Sequence, residues 1–65
     1  MVRIAGTLPE NGQTVYLADL QGIEDRWVGP LEGDELRLSR VEATRIWLFL
    51  RVHQHIYSPY LVETP

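Results

Sequence analysis

Residues 40–55, RVEATRIWLFLRVHQH, contain no Gly, Pro, Asn or Asp, so nothing in them favours a turn. A hairpin between DELRLS and RIWLFLRV would have to reverse in RVEAT, which lacks turn chemistry. Just upstream, Ser39-Arg40-Val41-Glu42 has the form of a capping box: the Ser39 hydroxyl accepts the amide of residue 42, and Glu42 reaches back to the Ser39 amide. The stretch is therefore expected to be a helix over residues 40–53. Ile46, Trp47, Phe49 and Val52 favour strands. The competing reading makes TRIWLFLRV a central strand of an all-β SH3-like or OB-like barrel.

On a helical wheel Ala43, Ile46, Trp47 and Leu50 form one stripe, which would pack on a sheet. Val41, Leu48 and Val52 lie on nearly the opposite side, with Phe49 between. A helix apolar on two faces must be covered on both. In a chain of 65 residues, the second cover is expected to come from another chain.

The remaining sequence reads as strands and turns. VRIAGTL (2–8) and TVYLADL (14–20) flank the turn signal PENGQ and form a hairpin, with Val15, Leu17 and Asp19 on one face and Tyr16, Ala18 and Leu20 on the other. QGIED (21–25) reads as a loop, and the next strand enters at RWV and ends at Gly29-Pro30. ELRL (35–38) places Leu36 and Leu38 on one face of a further short strand. At the end YLVE pairs with an earlier strand, and Pro59 marks an edge or turn. The fold class is thus α+β: one domain over residues 1–65, with a small, curved, mainly antiparallel sheet of four or five strands and one helix across it.

Size makes this fold marginal. A chain this short buries only about 60% of the surface its unfolded form exposes, and with no Cys it has neither disulfides nor thiolate metal ligands to help. A partner protein or a homo-oligomer contact would relieve the shortfall. The net charge is −3, from six Arg, no Lys and nine acids. Nucleic-acid binders draw much of their affinity from neutralising phosphates, so direct nucleic-acid binding is not favoured. The N-terminus lacks the apolar run of a signal peptide, and IWLFL is too short to cross a bilayer. The expectation is a soluble, cytoplasmic protein.

Candidate chemistry is sparse. His53 and His55 have no third His or Cys to complete a metal site. Glu24-Asp25 and Glu32, Asp34 and Glu35 sit beside Gly and Pro, where solvated turns are the better reading. Ser39 is explained as a cap, and no phosphate-cradling glycine loop is present. No catalytic residue, metal or cofactor is assigned, and an enzyme is not expected. Trp and Tyr in a small domain more often serve core or protein interface than base stacking. The expected contact set is Trp47, Leu48, Phe49, Val52 and Tyr57, with Arg45 and Arg51 at its rim.

VRI (2–4), DRWVGPL (25–31), GDELRL (33–38) and the Ala43, Ile46-Trp47 pattern together resemble the small β-rich B-domain of GINS subunits, archaeal DNA-replication factors. The match runs best over residues 26–52. The sequence departs from that pattern at Ser39, where the family has Pro, and contains no counterpart of the family's helical A-domain. The resemblance implies a docking module that makes protein contacts within a replication assembly and does no chemistry. The rival functions are a single-stranded nucleic-acid-binding barrel and a viral or mobile-element regulator that inhibits a host enzyme.

Overall fold

The computed structural model describes residues 1–64. The first hairpin forms where the β-branched runs predict it. β1 (Val2–Thr7) and β2 (Thr14–Gln21) pair antiparallel, with Ala5 opposite Tyr16 and Thr7 opposite Thr14. The loop between them is closed by the Leu8 amide on the Gln13 carbonyl (2.9 Å) and the Gly12 amide on the Leu8 carbonyl (2.8 Å). The Asn11 side chain accepts from the Gln13 amide at 3.0 Å, fixing the turn locally.

The expected loop at 21–25 is far tighter than the sequence suggests. β2 continues to Gln21, which stands opposite Glu24, and Gly22-Ile23 alone link it to β3 (Glu24–Val28). Gly22 takes φ 62°, the positive value that a two-residue hairpin needs at its first central position. β4 (Tyr60–Glu63) adds to the other edge of β1, giving the antiparallel order β3-β2-β1-β4.

A bulge in β2 shapes the sheet. Leu17 stands opposite Trp27, but Asp19 stands opposite Arg26, so Ala18 is an extra residue. An inserted residue breaks the two-residue alternation and bends the strand. Leu17 and Leu20 therefore both join the core, contrary to the strict alternation that put Leu20 on the other face. Beyond this point Val2 exchanges backbone hydrogen bonds with Leu38 (2.7 and 2.8 Å), and the Leu36 amide donates to the Leu17 carbonyl (2.9 Å). The ELRL segment is thus not a fifth strand but an irregular connector held by one isolated bridge. Leu36 and Leu38 still face the core together, as their spacing implies.

The helix, α1 (Arg40–Val52), begins at Ser39, whose side chain accepts the Glu42 amide at 3.2 Å. The Glu42 carboxylate takes its hydrogen bond from the Ser39 hydroxyl (3.3 Å) instead of the expected Ser39 amide. At the other end the amides of Gln54 and His55 bond the carbonyls of Arg51 and Leu50. Gln54 occupies the left-handed position at φ 52°, and the pattern is a Schellman stop. The all-β barrel reading is excluded by this helix.

α1 lies across the sheet with Ala43 and Leu50 fully buried against Val2, Ile4 and Leu17; Ile46, Leu20, Trp27, Leu36, Leu38 and Leu61 complete the cluster. After the helix the chain folds back over β1, where Gly6 makes room for it. A Cβ on Gly6 would lie 2.8 Å from the Tyr57 Cβ and 3.2 Å from a Trp27 ring carbon. Gly6→Ala is expected to lower stability by roughly 1–3 kcal/mol, the usual cost of overpacking, read as a lower urea midpoint with an unchanged slope. An unchanged midpoint would contradict this packing.

Candidate interaction surface

The residues of α1 that miss the sheet form a ridge. Val41, Leu48 and Val52 are 63%, 46% and 74% exposed, with Arg45 exposed in the same row. Positions 41, 45, 48 and 52 advance by three or four residues and so share one side of a helix. They stand opposite the buried Ala43 and Leu50. Phe49 flanks the row, its ring 4.4 Å from that of His53. Ile56, just past the helix, is 73% exposed. Exposed apolar residues are ordinary singly but informative when contiguous.

Of the contact set read from the sequence, Leu48, Phe49, Val52, Arg45 and Arg51 are at the surface of α1. The other two are turned inward. Trp47 is half-buried, donates its Nε1–H to the Pro59 carbonyl (2.8 Å) and has the Arg51 guanidinium over its ring at 5.2 Å. Tyr57 is half-buried and packs edge-on against Trp27 at 5.3 Å. Val41 falls on this side of the helical wheel but outside the expected contact set, and Ile56 lies past the periodic segment, so no spacing signal reaches it.

A polar cluster forms where the chain leaves α1, and it corrects the reading of Asp25 as a solvated turn residue. Asp25 lies in β3 and is half-buried. Its Oδ2 accepts the Trp27 indole N–H at 2.7 Å and also contacts His55 Nε2. The Tyr57 amide donates to His55 Nδ1 at 3.1 Å. With Nδ1 accepting, neutral His55 carries its proton on Nε2 and gives it to Asp25. Both ring nitrogens are therefore occupied, and His55 has no lone pair free to ligate a metal or act as a base. Among the described residues no group of His, Cys, Asp and Glu could hold a metal ion.

Glu35 is likewise no solvated turn acid. Its side chain is 5% exposed, with Arg37 at 3.6 Å and Arg3 at 4.0 Å. Arg3 in turn lies over the Tyr16 ring, 4.4 Å from its centre. A cleft of about 450 Å³ lies between Trp47, Arg51, Gln54, His55, Ser58 and Pro59, but its histidine and tryptophan already have the partners described. No helix among the described residues is long and apolar enough to cross a membrane. No family model matches the chain, and neither a curated protein nor a solved structure does.

Partial burial pushes the Asp25 carboxyl up, but the hydrogen bonds that it accepts from Trp27 and His55 outweigh it, so its pKa is lowered from 3.8. A folded-state pKa below the unfolded one gives stability that is complete above the unfolded value and lost as pH falls through the folded one. Asp25→Asn keeps the shape but cannot hold both donors with charge. We expect it to cost about 1–2 kcal/mol at neutral pH and to flatten the loss of stability below about pH 4. Urea titrations from pH 2.5 to 7 measure this; curves for the two proteins that run together at every pH would contradict it.

Proposed function

We propose that the chain is a non-enzymatic protein-interaction module that docks through the outer face of α1, as an accessory subunit of a DNA-replication or other nucleic-acid-processing assembly. The observation that carries the docking role is the ridge of Val41, Leu48 and Val52 with Phe49 beside it. Covering a large apolar side chain is worth roughly 1.5–3 kcal/mol, and a small domain with little core has much to gain from it. The assembly itself is suggested by the likeness of Trp27-Val28-Gly29-Pro30, Gly33-Asp34 and Leu36-Arg37-Leu38 to the docking B-domain of GINS subunits. The histidine pair adds no support for catalysis, since His55 is committed to Asp25 and Tyr57 and the exposed His53 ring lies tilted against Phe49 with, among the described residues, no polar side chain beside it to form a site.

Direct nucleic-acid binding draws less support. Base stacking needs open aromatic faces. Trp27 and Tyr57 are packed on each other and on His55, and Trp47 is covered by Arg51.

The test is recovery of a partner from the native host by tagged wild type and by the Leu48→Asp, Val52→Asp double variant, with sedimentation to detect self-association. We expect a stoichiometric partner or oligomer with the wild type and at least a tenfold loss with the variant, whose helical circular dichroism stays the same. A wild-type chain that stays monomeric and unpartnered, or equal recovery by both proteins, would overturn the proposal.

A further inference from the structure

The two outer strands of the sheet, β3 and β4, differ in chemistry. An outer strand presents unpaired N–H and C=O groups to any other strand, and charged side chains guard it. β3 carries Glu24, Asp25 and Arg26 among its five residues. β4 reads Tyr60-Leu61-Val62-Glu63, with one charge, and Arg40 already lies against it. The hydrogen bonds around β1 show which groups of β4 are free. The Thr64 amide donates to the Met1 carbonyl at 2.9 Å. The alternation of an antiparallel ladder then turns the backbone groups of Val62 and Tyr60 toward β1 as well. Val2, opposite Glu63, gives its amide and carbonyl to Leu38 on the other side of β1. The N–H and C=O groups of Leu61 and Glu63 therefore point away from the sheet, and among the described residues no bond from outside the sheet reaches them. Pro59, in the same outward row, has no N–H, and the Trp47 indole takes its carbonyl at 2.8 Å.

We infer that this edge pairs with β4 of a second copy of the chain, antiparallel about a two-fold axis at Val62, so that the two sheets become one. The edge is separate from the α1 ridge and does not depend on the docking role proposed for it. In this register Leu61 of each copy stands opposite Glu63 of the other, and every free N–H and C=O of both residues finds a partner. An axis at Leu61 would set Glu63 opposite Pro59, which has no N–H to give and no free carbonyl. An axis at Glu63 would set the two carboxylates directly opposite, which is destabilising. With the axis at Val62 the carboxylates lie diagonally, each beside its own Arg40. The two Val62 side chains then meet at a non-hydrogen-bonded position, where opposed residues come closest. The edge is thus its own complement, and a second copy is the strand that the chain itself supplies.

Sedimentation of the wild type, Val62→Glu, Val62→Lys and an equimolar mixture of the two variants tests the pairing, with Leu48→Asp as the control for the ridge. The wild type is expected to form a concentration-dependent dimer, and each Val62 variant to weaken it at least about fivefold, because like charges then stand directly opposite. The mixture restores the dimer, since opposite charges meet at the axis, and Leu48→Asp leaves it unchanged. Helical circular dichroism checks that the variants fold. Hydrogen exchange on the wild type reads the same contact without a substitution. The Leu61 and Glu63 amides become protected as concentration rises, whereas those of Tyr60, Val62 and Thr64 are protected throughout. A wild type that is monomeric at the highest concentration reached, a mixture of folded variants no stronger than either alone, or Leu61 and Glu63 amides indifferent to concentration would overturn the inference. A dimer that Leu48→Asp dissociates would assign self-association to the ridge, and a monomer whose recovered partner is lost with Val62→Glu would give the edge to another protein's strand; each would overturn it too.

Discussion

The contact of Ala43 and Leu50 with Val2, Ile4 and Leu17 holds helix to sheet. Ala43 is wholly buried, and its methyl group lets the helix lie close over the strands. A helix bearing apolar residues on two sides can bury only one of them against a single sheet. The chain has just one helix and one sheet among its described residues, and so the row through Val41, Leu48 and Val52 has no internal cover. The surface that supports the proposed docking role follows from the geometry of the core.

The sheet reaches that geometry through a local irregularity. Ala18 adds a residue to β2, so Leu17 and Leu20 turn to the same side. The connector enters beside β1 and contributes Leu36 and Leu38, supplying core volume without forming a strand. The segment after the helix is tied back by Asp25, which holds Trp27 and His55 together, while Tyr57 settles over Gly6. These ties join residues far apart in sequence. They occupy the Trp27 and Tyr57 rings and both nitrogens of the His55 imidazole.

Local chemistry was legible and long-range pairing was not. The helix could be read because Ser39 caps it and no breaker interrupts residues 40–52, and its two apolar sides followed from spacing alone. The first hairpin was marked by Asn11-Gly12. The second was missed because Gly22-Ile23 is a weak turn signal and the charged strand Glu24-Asp25-Arg26 does not alternate. The bulge at Ala18 has no composition of its own to announce it. Asp25 looked solvated because its partner, His55, lies thirty residues on, and Glu35 because Arg3 comes from the first strand. Trp47 and Tyr57 were placed at the interface since aromatics concentrate binding energy; the fold gave both to its own packing.

Opposite sides of one helix divide the work: Leu50 is buried in the fold, and exposed Leu48 belongs to the face proposed to dock a partner. Urea unfolding of Leu50→Ala and Leu48→Ala in the isolated chain compares them with the same chemical change, two residues apart. The account predicts a loss of about 2–4 kcal/mol for Leu50→Ala and less than about 0.5 kcal/mol for Leu48→Ala. Equal losses would contradict it, since Leu48 would then be part of the core.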